Sequence, residues 1–178
     1  EPTQPIDAGN RLVDFDAPTP AGRVVGSVDL PGSKSQTNRA LVLAAIAEAP
    51  SRINLPLIAR DTDLMVAALV SLGAKISRHG DCLTIEPIQF AERAQIDCGL
   101  AGTVMRFVPP VAALGKGSFR FDGDERARER PMTTTISSLR SLAVEVDDDG
   151  RGSLPFTVHG SGQVIGGELS VDASSSSQ

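Results

Sequence analysis

Four stretches of this chain set cationic, hydroxyl-bearing or glycine residues just where an apolar segment begins. They are PGSKSQTNRALVLAAIAEA (31–49), CGLAGTVMRF (98–107), DGDERARERPM (122–132) and SSSSQ (174–178). In the first, Ser33 or Ser35 can cap a helix. Its opening turn then presents free backbone N–H groups and partial positive charge, a receptor for phosphate or carboxylate. Lys34 and Arg39 add full charges. Lys34 and Asn38 share a helix face, as do Ser35 and Arg39, because each pair is four residues apart. Every residue from 40 to 47 is apolar, so this helix is expected to be buried on most sides with only its entrance polar. The spacing is not that of a phosphate-binding GxxxxGK[ST] loop.

The other stretches carry less on their own. Gly99 and Gly102 let backbone N–H groups approach a ligand, with Arg106 one turn into the following helix. Arg126, Arg128 and Arg130 alternate with Glu125 and Glu129; arginine forks bind carboxylates and phosphates in bidentate fashion, but a solvated charged loop explains the same residues. The serine-rich end has the composition of a disordered tail, yet it falls where a third helix start is due. His79 and His159, each before a glycine, read as turn residues, and Asp147–Asp149 as a solvated turn. Asp61 and Asp63 suit the start of a helix. No metal-ligand spacing and no Ser/His/Asp arrangement stands out.

These residues need a scaffold, and composition bounds it. The chain has 178 residues, a net charge of −5, and no Trp or Tyr. An acidic chain is no general polyanion binder, and base stacking lacks its aromatic platforms, so nucleic acid is not an expected partner. With aromatics at 3%, the core is expected to be aliphatic. Cys82 and Cys98 form no CxxC pair and read as reduced thiols. With no run long enough to span a membrane and no signal region at the start, the expected location is the cytoplasm, away from membranes.

Residues 1–22 read as a Pro-bearing tail and 23–30 (RVVGSVDL) as a strand. Short strands are expected at 52–56, 74–78, 82–86, 118–122, 144–146 and 156–159. Helices are expected at 61–73, at 101–115 with Pro109-Pro110 kinking or shortening it, and at 131–142 with Pro131 in its first turn. ALVSLGAKI (68–76) and SLRSLAVEV (138–146) both run from a helix end into a strand, offset by 70 residues in the numbering of the chain. That self-similarity predicts a repeated supersecondary unit, with a third copy opening at GGELSVD (166–172) in a chain that then stops.

GSKSQTNRA (32–40), LAGTVMRF (100–107), GDERARERPM (123–132) and VDASSSSQ (171–178), in this order, resemble the 5-enolpyruvylshikimate-3-phosphate synthase family. This family of 3-phosphoshikimate 1-carboxyvinyltransferases belongs to the shikimate pathway to chorismate and the aromatic amino acids and is the target of glyphosate. The LAGTVMRFVPP version is similar to those of high-GC Gram-positive bacteria. The resemblance implies the α/β enolpyruvyl transferase fold, an inside-out barrel of two domains, each built from three βαβαββ units. On that reading residues 23–32 belong with the opposite domain, and 33–178 hold two units and part of a third of a truncated substrate-binding domain.

By position, the resemblance implies that Lys34 is catalytic and contacts both substrates. Ser35, Arg39, Ser176, Ser177 and Gln178 would hold shikimate 3-phosphate. Gly102 through its backbone, Arg130 and Gln178 would hold phosphoenolpyruvate, with Arg106 in support. Leu100 stands where many members have Asn, which removes one side-chain contact. No cofactor or metal is implied. The full-length enzyme is expected to be a monomer and this chain an inactive, self-associating fragment. A UDP-N-acetylglucosamine enolpyruvyl transferase shares the fold, but SKSQTNR does not match its pattern. A non-catalytic anion-binding module is the reading of another class.

Overall fold

A computed structural model describes residues 16–171. Glu1–Leu30 and Pro31–Gln178 form separate units. In the first, the described residues 16–30 form no helix and no paired strand, although 23–30 has strand composition. Val24, Val25, Val28 and Leu30 are all more than three-quarters exposed there.

The second unit repeats one plan twice. Its first half runs α1 (Lys34–Ala45), β1 (Ser51–Asn54), α2 (Arg60–Leu72), β2 (Lys75–His79) and β3 (Cys82–Glu86). Its second half runs β4 (Arg93–Asp97), α3 (Gly102–Ala113), β5 (Lys116–Asp122), α4 (Glu125–Arg128), α5 (Thr133–Ser141), β6 (Glu145–Asp147) and β7 (Phe156–Ser161). The sheets have the orders β1-β3-β2 and β4-β5-β7-β6. In each, the last strand of the half lies between the other two, paired antiparallel to both. β4 adds a parallel edge to the second sheet, crossing to β5 through α3. Among the described residues the first half has no counterpart of β4, and β1 remains an edge.

Local chemistry explains the element ends. Ser33 caps α1, its side chain accepting from Gln36 N at 3.3 Å. Asp61 and Asp63 sit in the first turn of α2, where carboxylates suit the positive end of the helix. Gly73 ends α2 at φ +112°, a left-handed conformation, and a Cβ there would run into the Gln89 carbonyl. α1 is not buried on most sides: Leu41, Ala44 and Ala45 face the core, while Leu43 is 66% and Ile46 46% exposed. The apolar run covers two faces, of which only one finds a partner among the described residues.

α3 continues through Pro109 and Pro110 to Ala113. Each proline removes a hydrogen-bond donor and crowds the carbonyl four residues back, yet the helix buries Val104, Met105, Val108, Val111 and Ala112 on its packed face. Pro131 lies outside the first turn of α5, because Met132 is the cap and Thr133 the first helical residue. The core is also less aliphatic than composition suggests. Phe119, Phe121 and Phe156 are fully buried, and Phe121 stacks on Phe156 across the β5–β7 ladder with ring centroids 5.3 Å apart.

Two polar residues bind elements together from inside. Asp148 is not a solvated turn residue; it is 3% exposed, takes the Arg140 guanidinium at 2.7 Å, and accepts from Gly150 N and Gly152 N at 3.2 and 2.8 Å. His159 is not a turn residue either, since it lies within β7 opposite Ser118 and Glu145. Asn38, fully buried on α1, donates through Nδ2 to Thr103 Oγ1 at 2.6 Å and, more weakly, to the Asp61 carbonyl at 3.4 Å. One carboxamide thus ties the first turns of α2 and α3 to α1.

Two expectations follow. Asn38→Ala strands the groups that this carboxamide joins, at about 2 kcal/mol. Thermal unfolding should move down by roughly 4–8 °C; an unchanged Tm would show that the helices are held otherwise. The hydrogen bond from Arg140 holds the Asp148 carboxyl below its ordinary value of 3.8, helped by the glycine N–H groups against the opposing effect of burial. A depressed folded value adds stability that is complete above the unfolded value and lost as pH falls through the folded one. Denaturant titrations should therefore show a shallower acid decline for Asp148→Asn than for the unsubstituted chain below about pH 4.

Candidate functional site

The parallel pair β4–β5 decides where the site lies. Asp97 is opposite Asp122, so both strands end at the same level. The turn 98–101 leads from one end into α3, and 123–132 leads from the other into α5. Ligands of parallel α/β units bind outside these carboxyl ends, where helix N-termini converge. Gly99, at φ +47°, makes the first turn possible. Its N–H donates to Asp97 Oδ1 at 2.8 Å, and its carbonyl accepts from Asp124 N at 3.1 Å, which fixes the two loops to each other.

Ala101 precedes α3 and supplies no side-chain cap, so no side-chain acceptor covers the positive end of this helix. Two guanidinium groups close around it. A Cβ on Gly102 would lie 3.2 Å from Arg106 Nη1 and 3.7 Å from Arg130 Nη1, so both guanidinium groups approach the backbone closely at this position. Arg130 Nη1 donates to the Leu100 carbonyl at 3.0 Å. Leu100 therefore contributes its backbone to the site although its side chain cannot hydrogen-bond. Burial, and then the Arg130 charge, pushes the Arg106 pKa below its ordinary value. Two cations beside a helix N-terminus repel one another, and an anion between them would relieve that conflict.

α1 brings the second cationic group. Lys34 Nζ pairs with Asp61 Oδ2 at 2.9 Å, at the start of α2. Arg39 bonds the Ser35 side chain and, at 3.3 Å, the Ser35 carbonyl. Its guanidinium lies over the Phe107 ring of α3, 5.3 Å from the centroid. Through Asn38 and Thr103, the residue after Gly102, this group meets the first. The Asn38–Thr103 bond and the Arg39–Phe107 contact thus join α1, which carries Lys34, Ser35 and Arg39, to α3, which carries Gly102 and Arg106 and has Arg130 beside its start. Ser176, Ser177 and Gln178 lie outside the described residues.

The arginine-rich loop divides. Arg128 is a brace: its Nε and Nη2 reach Asp122 Oδ1 and Oδ2 at 2.8 and 3.0 Å, and this hydrogen bonding keeps the Asp122 carboxyl below the usual range. Arg130 turns to Gly102. The sequence marked Lys34, Ser35, Arg39, Gly102, Arg106 and Arg130, and paired Asn38 with Lys34, but did not show the bridging role of Asn38 or single out Thr103 and Phe107. The four-residue spacing of Lys34 and Asn38 was visible; the partner of Asn38, 65 positions on, was not. Both cysteines are free and buried. Burial, with Asp97 and Asp122 adding to it, pushes the Cys98 thiol up to about 12, so it carries no thiolate chemistry at neutral pH. Among the described residues, no cluster of three His, Cys, Asp or Glu is placed to hold a metal ion, and no helix is long and apolar enough to cross a membrane.

Known proteins resemble this chain in sequence and in fold. The chain is 53% identical over 165 residues to 3-phosphoshikimate 1-carboxyvinyltransferase from Kocuria rhizophila, covering 87% of this chain and 37% of that protein. It thus spans little more than a third of that relative's length. Two solved structures of EPSP synthase from Acinetobacter baumannii share the fold at a TM-score of 0.74 and 23% identity, over 85% of this chain and 36% of theirs. The family model described as EPSP synthase (3-phosphoshikimate 1-carboxyvinyltransferase) matches residues 18–178, so the chain belongs to this family.

Proposed function

We propose that the protein of which these residues form a part transfers the enolpyruvyl group of phosphoenolpyruvate to the 5-hydroxyl of shikimate 3-phosphate. The hydroxyl gives up its proton as its oxygen adds to C2 of phosphoenolpyruvate, and the methylene carbon takes one up. Phosphate then leaves from the tetrahedral ketal as a proton is lost from the methyl group. The observation that carries this reading is the joining of two helix entrances and their cationic side chains by Asn38. The two substrates bring two phosphates and two carboxylates close together, and preorganised charge offsets that repulsion without reorganisation during the reaction.

In this reading Lys34, released in part from Asp61, contacts both substrates. Arg39 and Ser35 hold the phosphate of shikimate 3-phosphate, together with Ser176, Ser177 and Gln178. The Gly102 N–H and Arg130 hold phosphoenolpyruvate, with Gln178 beside them, and Arg106 supports that loop. Residues 33–178 are the greater part of one domain, and 23–32 pack with the other. The reaction takes place in the cytoplasm. Asp61 is paired with Lys34 and Asp122 with Arg128. By the family resemblance, the proton transfers are assigned to groups beyond this chain, which by itself binds substrates weakly and does not turn them over.

Two measurements test this. In a protein carrying the family's full length, Lys34→Ala should fold normally and lose at least 100-fold in kcat, the scale of a lost transition-state charge contact; near-normal turnover rejects the role. For the 178-residue chain, calorimetry should show binding of shikimate 3-phosphate in preference to UDP-N-acetylglucosamine and sulfate, with no phosphate release when phosphoenolpyruvate is added. Equal binding of all three supports a general anion-binding module instead, and release above background overturns the claim that this chain is inactive.

A further inference from the structure

Arg39 is exposed and forms none of the ion pairs found among the described residues. A long side chain of this kind normally samples many rotamers, and ordering it on a ligand has an entropic cost. Here it is held from two sides. Ser35, one turn back on α1, takes a hydrogen bond, and the ring of Phe107 on α3 lies beneath the guanidinium at 5.3 Å from its centroid. Phe107 is half-buried and rests against the core, so the ring is a fixed platform. A guanidinium held over a ring is attracted to its π face, and the N–H donors not spent on Ser35 remain for an oxyanion.

We propose that Phe107 is a positioning residue that presents the Arg39 fork to the phosphate group of the ligand, an inference that rests on the role proposed above for Arg39. Phe107 directly follows Arg106, so the helix that carries one guanidinium a turn beyond its start also seats the guanidinium of the neighbouring helix. The ring acts through Arg39 and makes no contact with the ligand.

The test uses the 178-residue chain, with inorganic phosphate as the probe. Proton NMR of the unsubstituted chain should show the Arg39 side-chain resonances moved upfield by the ring current. Phe107→Leu should abolish that shift and weaken phosphate binding by about threefold, the scale of an exposed cation–π contact. Phe107→Tyr, which keeps the ring, should preserve both. Unshifted Arg39 resonances in the unsubstituted chain overturn the proposal whatever the variants do. So does a Phe107→Leu chain that matches the unsubstituted one in affinity while Arg39→Ala weakens it. Phosphate binding that is absent, or that Arg39→Ala leaves intact, overturns the assigned role of Arg39 and this proposal together, a result distinct from failure of the stacking alone.

Discussion

The Asn38–Thr103 hydrogen bond is the contact on which the arrangement of charge depends. The cationic groups lie on elements far apart in sequence: Lys34 and Arg39 on α1, Arg106 on α3, and Arg130 in the segment before α5. Like charges do not collect unless packing forces them to, and here a buried carboxamide joins the two helix entrances at 2.6 Å. A neutral amide suits the task, since it bridges without cancelling any of the charge it organises. The surrounding carboxylates have other partners: Asp61 with Lys34, Asp124 with Arg60, Asp122 with Arg128.

This division explains how a chain with a net charge of −5 can present a receptor for anions. Net charge acts at long range and is screened by salt, whereas helix ends and guanidinium groups act at contact distance where water is thinned. The repeat makes the arrangement economical. Each half starts a helix beside a strand end, and each start supplies backbone donors at one end and an apolar stripe further on. Between the halves the details differ: Ser33 caps α1, while α3 opens through Gly102 without a side-chain cap and takes Arg106 and Arg130 at its flank.

Much of this was legible in the sequence because the signals are local. Helix caps, the glycine stop at Gly73, the β2–β3 hairpin and the spacing of Lys34, Ser35 and Arg39 depend on neighbours within a turn or two. What escaped depends on distant partners. RAQID, with charges at both ends, shows strand character only once β5 lies beside it, so β4 went unread. Asp148 looked like one of three solvated carboxylates until the glycine turn after it folded back over its oxygens. Burial of α1 was overread, since an apolar run shows which faces can be covered without showing what covers them. Pro109 and Pro110 were expected to kink or shorten α3; the helix runs through both and ends at Ala113, two residues short of the expected end.

Cys98 sits at the joint between β4 and the turn into α3, fully buried between two carboxylate-bearing positions. A thiol that stays protonated and shielded is inert to alkylating and oxidising reagents while its surroundings are intact. Local opening of the strand end would expose it and return its ordinary acidity. The residue is thus a natural gauge of breathing at the mouth of the glycine turn. Its rate of chemical labelling reads how often that part of the chain comes apart, and a ligand that clamps the turn should slow the clock.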